Sequence, residues 1–109
     1  MLHLTIGSAW GRKFSFFKAD RRTKLDLSDR IIRVLIKKEK TDADGDAILP
    51  ILEYQNTNGN VIVPQWTAEQ TATVKEGVYH IGIKMYTIDD LDRELYNDII
   101  EIKKGIFNE

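Results

Sequence analysis

The sequence predicts an all-β protein, a β-sandwich of about seven short strands with one short helical turn. Three observations predict it. Apolar and polar residues alternate at a spacing of two through 30–39 and 77–86. β-branched residues crowd the first of these runs, with Ile31, Ile32, Val34 and Ile36 close together. Turn-forming residues break the chain into pieces at roughly 8–12-residue spacing, as sandwiches require. The 109 residues show no internal repeat, low-complexity tract or linker, so residues 1–109 read as a single domain large enough to bury a core.

The first strand covers His3 to Ile6 and ends at Gly7-Ser8. A second run, 12–19, places Phe14 and Phe16 on one face and Lys13 and Ser15 on the other. Residues 20–24 form a turn, and Asp26, Ser28 and Asp29 mark a second break before the strongest strand, 30–39. There Ile32, Val34 and Ile36 share the inner face. The apolar run 47–54 carries Pro50, which confines it to a sheet edge or a bulge. Residues 56–60, NTNGN, predict a tight hairpin turn leading into strand 61–63, because Asn-Gly tolerates positive φ.

Thr67 with Gln70 three residues later fits a capping box, so one or two helical turns follow and end before Gly77. The run 77–86 directs Tyr79, Ile81, Ile83 and Met85 to one face and His80, Gly82 and Lys84 to the other. Residues 88–93 form an acidic turn. A last strand over 94–107 supplies Tyr96, Ile100 and Ile102 to the core.

Several chemistries lack sequence support. There are no cysteines, which excludes disulfides and thiolate sites. His3 and His80 lack metal-ligand spacing, and no serine lies in a G-x-S-x-G turn. The chain reads as no enzyme and as needing no cofactor. Net charge is −1 with both signs interspersed, so neither nucleic acid nor an anionic membrane is an expected partner. No apolar run approaches the ~18 residues of a membrane span, and no signal peptide is visible. The basic stretch 18–24 is a solvated turn or a contact patch for an acidic partner.

One stretch, DADGDAILPILE, tests a metal reading. Asp42, Asp44, Asp46 and Glu53 fall at the first, third, fifth and twelfth positions of a calcium loop. Ala47, however, takes the position where glycine makes the bend, and Pro50 sits where the exit helix should start. The flanks read as strand, so an acidic hairpin tip is the favoured reading and the four carboxylates are a weak metal candidate. Trp10, Phe16, Phe17, Tyr54 and Trp66 serve a core, an interface or a carbohydrate-stacking platform.

Three segments carry a resemblance. "LTIGSAWGRKFSFFKADRRTKLDLSD" gives a strand, a polar link and a strand ending in a charged turn, and "RIIRVLIKK" gives a central strand. "NGNVIVPQWTAEQTATVKEGVYHIGIKM" gives a strand, a helical turn and an E-G-x-Y opening to a long strand. This order resembles the immunoglobulin-like β-sandwich domains of tailed-phage structural proteins, notably the amino-terminal domain of baseplate upper proteins. The turn at Asp20-Arg21-Arg22 departs from the D-G pair such domains often carry.

The resemblance implies a non-enzymatic virion component of the baseplate, tail, neck or capsid, made in the host cytoplasm. Its partners are then other virion proteins or copies of itself in a symmetric assembly, met through sheet edges and terminal strands. The expected interface is Ile48, Ile51 and Tyr54 on the edge segment, anchored by Trp10 and Trp66. On that expectation Trp66→Ala weakens assembly and leaves a folded monomer. The alternative is an immunoglobulin-like ligand-binding module for carbohydrate or peptide.

Overall fold

A computed structural model describes residues 2–18, 20–27, 30–57, 59–86 and 93–105, with Arg93 described in its backbone alone. The protein is mostly β. Its strands are β1 (Leu2–Ile6), β2 (Trp10–Gly11), β3 (Phe14–Ser15), β4 (Ile31–Lys37), β5 (Leu52–Gln55), β6 (Val61–Ile62), β7 (Gln65–Trp66), β8 (Gly77–Tyr86) and β9 (Arg93–Lys104). A single helical turn, α1 (Ala68–Thr71), lies between β7 and β8, and a 3-10 turn spans Asp44–Asp46. One five-stranded sheet has the order β1-β9-β8-β4-β5, and two ribbons pair β2 with β7 and β3 with β6.

The large sheet forms where alternation is strongest. Cross-strand registers set Val34 opposite Ile83 and Ile36 opposite Ile81, with Tyr79 opposite Ile100 on the other side of β8. All six are buried, as are Ile32, Met85 and Ile102, so one face of the sheet is almost wholly apolar. β1 runs parallel to β9 and adds Leu2 and Leu4 opposite Ile100 and Ile102. This parallel pairing of the chain's two ends has no local sequence signal, because nothing near Leu2 specifies a partner about a hundred residues away. Between Ile83 and Lys84 the β8–β9 register slips, so Ile83 faces Tyr96 while Lys84 faces Glu94.

The ribbons and their loops share one core with that face, through Trp10, Phe14, Phe16, Leu27, Leu49, Ile62, Trp66 and Val74. Phe14 and Phe16 stack in parallel 6.3 Å apart, and both lie against Tyr96. Among the described residues, the strand expected over 12–19 is thus mostly loop, paired at Phe14–Ser15 and at an isolated bridge from Phe17 to Lys24. Its two aromatic rings still share the inward face.

A second departure concerns residues 56–60. Gly59 and Asn60 turn, with Gly59 at φ 66°, but no hairpin closes here, since β5 pairs with β4 and β6 with β3. Asn56 is the reason. It is 1% exposed, and its Nδ2 donates to the carbonyls of Leu27 and Val61, each at 3.1 Å. A buried amide must find partners, and these lie on segments of the second layer, so the chain crosses from the sheet to a ribbon here. Asn58 is among the residues not described, as are Ser28 and Asp29 of the expected break, the acidic turn at 88–92 and residues 106–107 of the last strand.

The helical turn agrees with its sequence signature in detail. Thr67 Oγ1 accepts from the Gln70 amide and Gln70 Oε1 accepts from the Thr67 amide, a complete capping box. Thr71 then donates its hydroxyl to Ser8 O, fixing α1 beside the end of β1.

Trp66 sets the depth of the second layer. It is 1% exposed, its ring centroid lies 5.4 Å from that of Trp10, and its Nε1 donates to Pro50 O at 2.8 Å. Trp66→Ala therefore removes a core ring and an anchored hydrogen bond together. We expect a loss of about 3–5 kcal/mol in urea unfolding of the isolated chain. A loss below about 1 kcal/mol would show that this tryptophan is not holding the layers together.

Candidate docking surface

The residues named from sequence separate into three places. Trp10 and Trp66 lie in the core, with only 8% and 1% of their surfaces exposed. That corrects their assignment as interface anchors: a ring already enclosed by its own domain has almost no surface left for a neighbour. Both indoles instead spend their N–H groups on carbonyls of sheet-edge segments, Trp10 on His3 O and Trp66 on Pro50 O. For the same reason they supply no open face to a stacking sugar.

The carboxylates of the DADGDAILPILE stretch occupy the second place. They do not converge on a common centre. Lys37 Nζ donates to Asp44 Oδ1 at 2.6 Å and to Asp42 O at 2.8 Å, while Arg33 Nη1 lies 3.6 Å from Asp44 Oδ2. Arg33 Nε sits 3.4 Å from Glu53 Oε2, an ion pair without hydrogen-bond alignment. Asp42 Oδ2 accepts from the Glu39 amide.

Cations on the outer face of β4 thus draw the acidic loop onto the sheet, where a calcium site would need those oxygens turned toward one another. Among the described residues no group of three or more His, Asp and Glu side chains is placed to hold a metal ion. The Lys37 hydrogen bond, reinforced by the nearby charges of Lys37 and Arg33, holds the Asp44 carboxyl below the usual carboxylate range.

That outer face also carries a shallow concavity of about 340 Å³ over Gly82, lined by Arg33, Leu35, Asp44, Lys84 and Glu94. Basic and acidic groups alternate around it, so it presents no net field to attract a charged ligand. His80 lies on this face, as its place in the alternation predicts, half-buried across from Lys37.

The described residues of the basic stretch, 18 and 20–24, are exposed, and Phe17 bridges to Lys24. Asp20 organises it: its carboxylate accepts from the Thr23 and Arg22 amides and from the Thr23 hydroxyl, which lowers its pKa to about 2. Arg21 at the tip adopts φ 59°, a conformation that glycine or asparagine would take more cheaply.

The third place is the edge segment, where Ile48, Ile51 and Tyr54 are all half-buried. Here the two edges of the large sheet differ. In β1 the outward backbone positions are His3 and Thr5, and both carbonyls are occupied, by Trp10 Nε1 at 2.9 Å and by the Ser8 amide at 3.1 Å. In β5 the direction of each residue follows from the ladder. The Asn56 amide donates to Arg30 O and the Ile48 amide to Ile36 O, so Tyr54 and Leu52 bond Ile32 and Val34. Glu53 and Gln55 therefore turn their amides and carbonyls away from β4, toward the free edge. No hydrogen bond beyond that ladder reaches either backbone among the described residues.

Sequence reasoning found the edge through Pro50 but missed Glu53 and Gln55 as its outward positions. The alternation Leu52-Glu53-Tyr54-Gln55 contains that information once the pairing partner is known.

These features define an all-β protein whose two sheet edges differ among the described residues, β1 with its outward carbonyls taken and β5 with both outward amides and carbonyls free. No family model, no curated protein and no solved structure matches the chain.

The Asp44 ion pairs yield a pH prediction. Its folded pKa lies below the ordinary 3.8, so its contribution is full above that value and disappears as pH falls through the folded pKa. Its side chain is 43% exposed, so solvent screening limits the effect to below about 1 kcal/mol. Asp44→Asn should lower stability slightly at about pH 7, and the gap to wild type should be narrower at about pH 2.5, below the ordinary carboxylate value. Urea unfolding at both pH values measures this, and a gap equally wide in acid would contradict the ion-pair account.

Proposed function

We propose that this chain is a non-enzymatic structural component of a bacteriophage virion, an immunoglobulin-like β-sandwich domain that docks to neighbouring subunits through its sheet edge. The open β5 edge carries the reading. An edge with unused donors and acceptors, beside half-buried Leu52 and Tyr54, is suited to receiving an added strand from another subunit. Two further observations support it. The five-stranded sheet and the two ribbons enclose one core, as the layers of a sandwich do. The order of segments from Leu4 to Met85 resembles that of phage baseplate domains.

In this role the partners are other virion proteins or further copies of the chain, and the place of action is the particle. A module binding carbohydrate through aromatic stacking is less well supported, because Trp10 and Trp66 belong to the core.

Mass spectrometry of particles purified from cells expressing the gene provides the test. The chain should appear in intact particles at a fixed stoichiometric ratio to the major structural proteins and should survive a salt wash. Its presence only in the soluble lysate, with intact particles lacking it, would overturn the proposal.

A further inference from the structure

The geometry of the free edge points to a specific occupant: we propose that β5 pairs with β5 of a second copy of this chain, antiparallel, across a two-fold axis passing beside Tyr54. This inference rests on the docking role proposed above and names the partner of that same edge.

Backbone direction limits which residues of β5 can pair. In an antiparallel ladder, hydrogen-bonded pairs form only between residues whose backbone groups point at each other. On the free side of β5 those residues are Glu53 and Gln55. A two-fold pairing of β5 with itself thus has three registers. One sets Glu53 against Glu53 and brings like charges face to face, which is unfavourable. Another sets Gln55 against Gln55 and moves the pairing past the end of β5, onto Thr57. The remaining register sets each Glu53 against the partner's Gln55, a carboxylate facing an amide donor twice over. It uses all the outward amides and carbonyls of both residues, about four backbone hydrogen bonds in total.

Side chains support the same register. It places Tyr54 opposite its own copy on the axis, where a non-hydrogen-bonded pair brings side chains closest. Tyr54 and Leu52 are half-buried, unlike Ile32 and Val34 beside them on β4, and nearby Val63 is 36% exposed. The inner face is therefore thinly covered at this edge, and a second sheet continuing past β5 covers it further. The other edge offers fewer free groups, since its outward carbonyls at His3 and Thr5 are already bonded within the chain. Because β5 spans only four residues, the contact belongs to the small and reversible class, with a dissociation constant of roughly 10⁻⁵–10⁻³ M.

Sedimentation of the purified full chain at concentrations up to about 1 mM tests this. Wild type should show a reversible monomer–dimer equilibrium. Gln55→Pro removes an outward N–H and spares the ladder to β4, so it should abolish the dimer while leaving the melting temperature nearly unchanged. Gln55→Lys, which sets an ammonium against Glu53, should tighten association several-fold, and Gln55→Glu should weaken it several-fold. These charge variants keep the test decisive even if the proline variant folds poorly.

A wild-type chain that stays monomeric at about 1 mM overturns the inference, as does a dimer indifferent to all three substitutions. An edge that instead accepts a strand from a different virion protein overturns it too. The virion role and the self-pairing fail separately: particles can contain a chain that never dimerises, and a dimer can form from a chain absent from particles.

Discussion

The structure depends on one stripe of β-branched side chains packed across the centre of a sheet. Ile32, Val34 and Ile36 on β4, Ile81 and Ile83 on β8, and Ile100 and Ile102 on β9 each have almost no surface left to solvent. Their χ1 angles are stiff, so little rotamer entropy is lost when they interdigitate on a pleated surface. Each fully buried side chain of this size contributes roughly 1.5–3 kcal/mol relative to exposure, which makes the stripe a major source of stability. A one-residue slip of β4 or β8 would turn its whole set of apolar side chains to solvent, so the stripe also fixes register.

The second layer exists to cover that stripe, and it is built from pieces too short to stand alone. β2, β3, β6 and β7 have two residues each, far below what an isolated ribbon needs for stability. They are held by what they place on the sheet: Trp10, Trp66, Ile62 and Phe14 supply bulk, and specific polar contacts tie their loops down. Asn56 joins the end of β5 to Leu27 and Val61, and Thr71 joins α1 to Ser8. Position in this layer is thus set by a few buried hydrogen bonds acting with large rings.

This division explains what could be read from the sequence. β4 and β8 were legible because their inner-face residues alternate without error, and α1 because a capping box is a local signal with its own hydrogen bonds. The end of β1 was legible from Gly7-Ser8. Of the ribbon strands, β6 was legible within 61–63 and β3 within 12–19, but β2 and β7 were not, because a two-residue strand leaves no period to detect. The supposed hairpin at 56–60 failed for a related reason. Asn-Gly specifies a turn, but whether the flanking strands then pair is settled by distant partners of Asn56. The tryptophans were legible as important and not as interior, since a large ring fills a core or an interface equally well until the second layer is built. The DADGDAILPILE stretch could be doubted as a metal loop from Ala47 and Pro50, while the true partners of its acids, Lys37 and Arg33, are set by sheet geometry.

The two edges of the sheet follow from the same economy of backbone groups. A strand at an edge must leave its outward amides and carbonyls to water, to side chains or to another chain. At β1 the chain bends back immediately, so Ser8 and Trp10 reach the carbonyls of Thr5 and His3 from within. At β5 the chain arrives from Pro50 and leaves through Asn56, and both neighbours are tied to the second layer. Pro50 gives its carbonyl to Trp66 and Asn56 gives its side chain to the second layer, so neither can fold back along the edge. The open edge is therefore a consequence of how the core is closed. Its shortness limits any strand exchange there to a weak, reversible contact, and only repetition in an array of linked subunits would make such contacts collectively strong. Lengthening β5 would strengthen the contact but would break the hydrogen bonds that Pro50 and Asn56 make to the second layer, so edge affinity and domain stability are opposed at those two residues.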